Sequence, residues 1–302
     1  MPSTRDIRRR IKSAKNISQI TRAMEMVAAS RMRRAQQAVV AGRPYAEKIA
    51  SVIFHLSARL AASGDELHPL LQTRPIKKAT VVMITADKGL AGALNTNIIR
   101  RTTRFILNEA DAEVNIVAVG RKGRDFMIRY RRPLIAEFTN LGDAPGIADI
   151  RAIARIAADE YIAGRTDAVY IVYTDFVNTL IQKPTLYRLL PTDVRLEGEE
   201  GSLPGDNPVE PPSDDLVEYI YEPGEAEVLA QLVPRYIEVR LYQALLEHLA
   251  SEHSARMVAM RNATQSAKDM IEDLTLAYNK LRQANITREI IEVSSGASAL
   301  TG

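Results

Sequence analysis

Cysteine is absent from the 302-residue chain, and so is tryptophan. Without cysteine the protein has no disulfide framework, no thiolate ligands for zinc and no cysteine nucleophile. Redox control through a thiol switch is excluded for the same reason. The composition suits a reducing compartment such as the cytoplasm, which is where we expect the chain to work.

Long apolar runs are also lacking. The N-terminal stretch MPSTRDIRRRIKSAK has positive charges with no apolar segment behind them. No later window reaches about 18 consecutive apolar residues, the length that a membrane-spanning helix needs. We therefore expect neither a secretory signal peptide nor a transmembrane helix.

Acidic residues are scarce near the N-terminus. Residues 1–50 contain 12 Lys or Arg and 3 Asp or Glu, a local charge of +9, whereas residues 196–227 contain 11 acids and no base. A basic arm is typical of a surface for nucleic acid or an acidic partner, or of a solvated helix face. Because Arg5–Arg34 contains no aromatic residue, bases would find nothing to stack on, and the arginines would serve phosphates only.

Both ends of the chain have helical patterns. From about Ser3 to Arg59 apolar residues recur every three or four positions, and we expect this helix to bend or loosen near Pro44. From about Glu225 to Ala299 the pattern returns, with Pro234 as its only proline. Single helices of such length cannot bury an apolar stripe, so we expect them to pair as an antiparallel coiled coil. The stripe of the first helix consists of Ile7, Ile11, Ala14, Ile17, Ile20, Met24, Val27 and Ala28.

The middle of the chain changes period. Short β-branched runs at Ala79–Thr85, Val114–Val119 and Ala168–Thr174 alternate with helical stretches, which predicts βαβ units on a mainly parallel, Rossmann-like sheet. Leu186–Leu190 is expected to add a hairpin strand at one edge. The predicted fold is α/β plus a long antiparallel coiled coil of the two terminal helices. Its expected segments are an N-terminal helix (1–60), an α/β domain (76–195), an acidic Pro/Gly loop (196–224) and a C-terminal helix (225–302).

Motifs for chemistry are weak. TADKGLAGALNTN follows the first predicted strand but contains neither G-x-G-x-x-G nor G-x-x-x-x-G-K-[ST], so its glycines favour a tight turn over a nucleotide site. Asp87 in this turn is more typical of a turn or helix cap than of a general base. His248 and His253 lack metal-site spacing and are interpreted as solvated helix residues. We expect no cofactor, metal or catalytic group.

Four stretches match one known family, in the same order along the chain. They are RDIRRRIKSAKNISQITRAMEMVAASRMRRAQ at Arg5–Gln36, TADKGLAGALNTN at Thr85–Asn97, YIYEPGEAEVL at Tyr219–Leu229, and SARMVAMRNATQSAKDMIEDLTLAYNKLRQANITREIIEVSSGASAL at Ser254–Leu300. They resemble the gamma subunit of F-type, rotary ATP synthases. The cysteine-bearing insert of chloroplast relatives is absent, which indicates the bacterial type.

The resemblance implies a non-catalytic rotor shaft that couples proton-driven rotation to ATP synthesis or hydrolysis and regulates ATPase activity and proton flow. It implies three alpha and three beta subunits, an epsilon subunit and a ring of c subunits as partners, with no nucleic acid. It also implies attachment to the cytoplasmic face of a bacterial cell membrane through the c ring alone.

Residue roles follow from the same resemblance and from the helical pattern. Contact between the rotor and the surrounding ring is expected at Met24, Arg31, Arg33, Arg34, Arg256, Gln265 and Thr287. Contact of the foot with the c ring and epsilon is expected at Tyr219, Tyr221 and Glu222. The seam of the coiled coil is expected to contain Ile11, Ile20, Val27, Leu274, Tyr278 and Leu281.

Two alternatives come from other functional classes. A nucleic-acid-binding coiled-coil protein would use the basic arm, although that arm has no aromatic residue. A nucleotide-dependent enzyme would use the α/β segment, although that segment has no phosphate fingerprint.

Overall fold

The structure is a computed structural model that describes residues 3–63, 68–192 and 221–301. Its contacts divide the chain into two units: residues up to Ala28 with those from Arg256 onward, called here the terminal unit, and Ala29–Ala255, called the central unit. The sequence prediction drew its boundaries elsewhere, because it assigned each long helix whole to the coiled coil.

The order of elements alternates strands and helices between two long helices. It runs α1 (Thr4–Ser63), a 3-10 turn (Pro69–Leu71), β1 (Lys78–Ile84), α2 (Leu94–Arg104), a π turn (Phe105–Glu109), β2 (Glu113–Val119), α3 (Arg121–Arg129), β3 (Leu134–Phe138), α4 (Ile147–Ile162), β4 (Ala168–Phe176), β5 (Gln182–Leu190) and α5 (Glu225–Thr301). Helix α1 continues through Pro44, although proline has no N–H group to donate to the helical ladder.

The central unit is built on one five-stranded sheet in the order β3-β2-β1-β4-β5. Neighbouring strands among β1 to β4 are parallel, and β5 pairs antiparallel with β4 through the expected hairpin. Strands β1 and β2 are buried almost throughout, as befits parallel strands covered on both faces.

Alternate residues of β1 face two separate cores. Val81 and Met83 pack with Ile98 of α2 and Met127 of α3. Val82 and Ile84 belong to the larger core, which includes residues of α4 and the central-unit parts of α1 and α5. The result is a three-layer, Rossmann-like α/β arrangement that confirms the predicted fold class.

One strand has no counterpart in the sequence prediction. Strand β3 has five residues, LIAEF, whose burial alternates between half-buried and exposed. It lies at the edge of the sheet, so it needs no continuous apolar run of the kind that marks the central strands.

Candidate functional site: the paired terminal helices

The terminal unit is held together by a seam with coiled-coil spacing. Buried residues of α1 recur every seven positions, at Ile7, Ala14, Thr21 and Ala28. On α5 the buried and half-buried positions alternate in steps of three and four, as in a coiled coil. They are Met257, Met260, Thr264, Ala267, Ile271, Leu274, Tyr278 and Leu281.

Three polar contacts join the helices and fix their direction. The Arg8 guanidinium donates to Tyr278 Oη at 2.5 Å and lies over the same ring. Further along α1, the hydroxyls of Thr21 and Thr264 are 2.7 Å apart. The contacts continue with Arg261, which donates to Glu25 Oε1 at 3.0 Å. Partner numbers fall as α1 numbers rise, so the pair is antiparallel, as predicted.

A carboxylate occupies one seam position of α1. Glu25 is buried and accepts hydrogen bonds from Arg22 at 2.9 Å and Arg261 at 3.0 Å. Burial opposes its ionisation, but the bonds from Arg261 and Arg22 outweigh that effect and lower the pKa of the Glu25 carboxyl. The charge is therefore retained inside the seam, where it favours one register of the two helices.

The seam departs from its predicted composition. Ile20 and Val27 were expected inside it, but 59% and 51% of their surfaces are exposed. The physical reason is that the polar residues Thr21 and Glu25 take seam positions between Ala14 and Ala28, where Thr264 and Arg261 on α5 satisfy them. Ile11, Leu274, Tyr278 and Leu281 are half-buried at seam spacing.

The displaced apolar residues form a second stripe. Ile17, Ile20, Met24 and Val27 are spaced by three, four and three, and the last three each stand one position before a seam residue. Ile17, Ile20 and Val27 are exposed and Met24 is half-buried. This outward stripe is apolar surface that α5 does not cover, which makes it a candidate for contact with another molecule.

The other residues expected at the rotor contact differ in their surroundings. Arg31, Arg33 and Arg34 belong to the central unit, where Arg31 pairs with Asp143 at 2.7 Å and the other two are exposed. In the terminal unit, Arg256 is buried and has a partner. Gln265 and Thr287 are exposed, and Gln265 donates a hydrogen bond to Asp269.

The residues expected at the foot precede α5. Tyr221 is half-buried against the larger core of the central unit, and Glu222 is exposed. Tyr219 lies outside the described residues.

Side chains at the end of β1 and in the turn after it bind backbone amides at the start of α3 and after β3. The backbone N–H of Arg121, at the start of α3, donates to Asp87 Oδ1 at 2.9 Å, and that of Gly123 donates to Thr85 Oγ1 at 2.9 Å. Asp87 Oδ2 accepts from the N–H of Asn140 at 2.8 Å. The amide groups of Arg121 and Gly123 in the first turn of α3 are therefore already used. The predicted role of Asp87 as a cap is confirmed.

The sequence-based interpretation of the two histidines of α5 is wrong. His248 and His253 were expected to be solvated, but they are 1% and 2% exposed. They lie in a stretch of α5, residues 243–254, that is buried on every side. A helix buried all round is usually apolar all round, and this one reads QALLEHLASEHS, so the sequence carried no signal of its burial.

Within residues 3–63, 68–192 and 221–301, no group of three or more His, Asp or Glu is placed to hold a metal ion. None of the helices in this described part combines the length and hydropathy that a bilayer crossing requires.

Fold and surface together define a class: a protein with an antiparallel terminal helix pair, a doubly wound α/β unit and an apolar stripe suited to contact with other proteins. A family model described as ATP synthase matches residues 3–300. The chain is 53% identical over 303 residues to the ATP synthase gamma chain of Roseiflexus castenholzii, covering 99% of both chains. It is 50% identical over 300 residues to that of Dehalococcoides mccartyi, covering 99% of this chain and 100% of the relative.

Solved structures agree. A chain of the Tetrahymena thermophila mitochondrial ATP synthase, central stalk and c ring, matches with a TM-score of 0.60 and 27% identity over 81% of this chain and 99% of its own. One from the Euglena gracilis enzyme matches in fold, with a TM-score of 0.64 and 19% identity over 98% and 94% of the two chains. The chain belongs to the ATP synthase gamma chain family, and it is the non-catalytic rotor shaft of an F-type ATP synthase.

Proposed function

We propose that the terminal unit is the part of the shaft that turns inside a ring of three alpha and three beta subunits, and that the outward stripe touches that ring. The observation that carries this proposal is the stripe itself, four apolar side chains that the chain leaves uncovered. A partner shifts an equilibrium only when it binds the alternative states unequally. A stripe on one side of the helix pair gives the shaft the asymmetry that such coupling needs.

The chemistry of the stripe suits a moving contact. Every ion pair or bidentate hydrogen bond made at one angle of the shaft must break before the next angle is reached. Methionine and isoleucine offer contact without directional bonds, and the thioether of Met24 adapts to several packing geometries. Arg31, Arg33 and Arg34 lie on α1 just after the terminal unit, in the first residues of the central unit, and they are proposed to contribute long-range attraction to acidic groups of the ring.

The central unit is proposed to form the foot of the shaft. Its partners are then the epsilon subunit and the ring of c subunits, with Tyr219, Tyr221 and Glu222 at the contact. Attachment to the cytoplasmic face of a bacterial cell membrane follows through the c ring, because the chain itself is expected to have no membrane-spanning helix. Proton-driven rotation of this foot is proposed to drive ATP synthesis and, in reverse, to be driven by hydrolysis.

The test is a lysine scan of two methionines in the assembled enzyme. Met24→Lys places a charge on the stripe, where we expect it to attract carboxylates of the ring at one angle of the shaft more than at others. Met26→Lys is the matched control, because Met26 is 59% exposed but lies two residues on, roughly 200° around the helix. Both variants are reconstituted into vesicles, and ATP hydrolysis and proton uptake are measured together.

We expect Met24→Lys to pump severalfold fewer protons per ATP than the parent at similar hydrolysis rates, and Met26→Lys to match the parent. Equal pumping by all three proteins would show that the stripe is ordinary helix surface. Equal impairment of both variants would show that charge anywhere on the shaft disturbs coupling, and the specific contact would be abandoned.

A further inference from the structure

The amino ends of the parallel strands meet at one edge of the sheet, opposite the edge where α3 and α4 begin. Residues 76–77 lead into β1, residues 111–112 lead into β2, and residues 128–133 include the end of α3 and the turn into β3. Most of these residues are exposed. We call this surface of the central unit the amino-end face.

Positive charge on the amino-end face is not neutralised within the described chain. Residues 126–136 contain three arginines and no acid. The arginines are Arg129, Arg131 and Arg132. The acids that flank this stretch, Asp125 and Glu137, lie 2.8 and 3.5 Å from Arg124 instead. None of the three arginines forms an ion pair with a residue that the structure describes.

The rest of the face leaves this excess in place. Lys77 is exposed and adds a fourth cation, and Asp111 is the only carboxylate among the residues that define the face. Four cations against one carboxylate give a net charge of +3. The neighbouring Glu113 does not reduce it, because its carboxylate lies 3.6 Å from the ammonium group of Lys78.

Apolar side chains are exposed among these charges. Ile76, Ile128 and Tyr130 are 41%, 55% and 62% exposed. The ring of Tyr130 stacks on that of Phe126 with 4.4 Å between centroids, so it is held at the surface. Arginine and tyrosine both combine an apolar body with a polar tip, which suits the boundary between lipid headgroups and acyl chains. An acidic protein segment would match the charge but not the exposed isoleucines.

The amino-end face lies at the same end of the central unit as the proposed foot. The foot residues immediately precede α5, where Glu225 pairs with Arg59 of α1 at 2.9 Å. Beyond α1, the carbonyl oxygen of Leu70 accepts from the N–H of Thr192 at 3.1 Å, just past the end of β5. Because β5 is antiparallel to its neighbour, its end lies at the amino edge of the sheet.

We propose that the amino-end face binds the headgroup layer of an anionic phospholipid bilayer. Its arginines contact lipid phosphates, and Tyr130 and Ile128 lie at the level of the headgroups. The contact is additional to attachment through the c ring. It rests on the proposed function for one point only, that the foot faces the membrane. Attraction to an anionic bilayer is electrostatic and falls off within a Debye length, so it requires no fixed partner at any one angle of the shaft.

The test uses the full-length chain, which contains no tryptophan. Tyr130→Trp introduces a single fluorescent reporter on the amino-end face. Tyr45→Trp is the matched control, because Tyr45 is 49% exposed and lies beside Ile147, the first residue of α4, near the opposite edge of the sheet. Each protein is mixed with vesicles of phosphatidylglycerol and phosphatidylcholine in equal parts, or of phosphatidylcholine alone.

We expect the emission of Tyr130→Trp to move to shorter wavelength with the anionic vesicles only. Lipids that carry a quencher near the headgroup should reduce it, and added salt should reverse both effects. The emission of Tyr45→Trp should stay unchanged with either kind of vesicle.

Two charge variants in the reporter protein test the arginines. The first combines Arg129→Gln, Arg131→Gln and Arg132→Gln. The charge-matched control combines Arg10→Gln, Lys12→Gln and Lys15→Gln, three exposed positions of the terminal unit. Each basic residue near an anionic surface strengthens binding about fivefold, so the first variant should raise the lipid concentration at half-maximal shift about 20- to 100-fold. The control should raise it less than about threefold.

Three outcomes would overturn the proposal. An equal shift with phosphatidylcholine alone would show apolar adsorption without recognition of headgroup charge. Equal weakening by the two triple variants would show that binding follows overall charge. A reporter that ignores both vesicles but responds to polyglutamate would assign the face to an acidic protein partner.

The reconstituted enzyme separates this proposal from that of the foot. There the emission of Tyr130→Trp is compared with that of the parent enzyme, with and without quencher lipids. Vesicle binding by the isolated chain without quenching in the enzyme would uphold lipid recognition by the face and contradict the proposed orientation of the foot. Quenching in both would support the two proposals together.

Discussion

Two aspartate substitutions, six residues apart on α1, separate the seam observed here from the simpler stripe that the sequence predicts. Ala14 is 3% exposed in the seam, and Ile20 is 59% exposed outside it. The apolar pattern alone would place both inside the coiled coil. The structure requires Ala14→Asp to damage the terminal unit and Ile20→Asp to leave it nearly intact.

The size of the effect follows from burial. Thr21 meets Thr264, so in an antiparallel pair Ala14 lies opposite the neighbourhood of Ile271. An aspartate there places an unpaired charge against apolar surface, which costs about 2–4 kcal/mol even when the carboxylate tilts toward water. At position 20 the carboxylate remains solvated, and the cost is about 0.5 kcal/mol, mainly from helix propensity.

Native-state hydrogen exchange measures these costs where they arise. Peptides from residues 4–28 should exchange about 30- to 1000-fold faster in Ala14→Asp, because each 1.4 kcal/mol of local opening is about tenfold. Peptides from β1 in the central unit serve as an internal control and should not change. Comparable acceleration by Ile20→Asp would refute the seam described here and restore the predicted one.

Three further predictions concern single groups. Gly120 has φ +92°, and an added Cβ would lie 1.9 Å from the carbonyl oxygen of Thr85. Gly120→Ala should therefore lower the free energy of unfolding in urea by more than about 3 kcal/mol. The control Gly142→Ala, at φ +83° with open space around it, should lower it by only about 1 kcal/mol. Glu25→Ala leaves two arginines without their acceptor and should lower the stability of the terminal unit by about 1–3 kcal/mol in the same exchange assay, whereas no change would show that the buried carboxylate is dispensable. Burial lowers the folded-state pKa of His248 from 6.5 to about 3, so the unfolded chain binds more protons between these pH values and stability falls as pH drops below about 6.5. Between pH 7 and pH 4.5, the urea midpoint of His248→Gln should decline less than that of the parent. Parallel declines in the two proteins would contradict the buried, neutral state of His248.

The central unit was largely predictable because its strands are marked by composition. Parallel strands buried on both faces require continuous β-branched runs, and Ala79–Thr85 and Ala168–Thr174 lie within a residue or two of β1 and β4. Strand β3 was not predicted, because the burial of its residues alternates and the strand has only five residues. Local sequence therefore marks a buried central strand clearly and an edge strand only weakly.

The seam between Ala14 and Ala28 could not be predicted from the pattern of a single helix. Thr21 and Glu25 are polar, and a hydrophobic stripe drawn on α1 alone passes around them through Ile20 and Met24. They are seam residues because Thr264 and Arg261, more than 200 residues away, satisfy them. Because Thr21 and Glu25 occupy the inner positions of α1, the neighbouring apolar side chains face the outside of the helix pair. The polar seam residues therefore fix the register of the two helices, and the apolar residues beside them form the outward stripe that we propose contacts partner subunits.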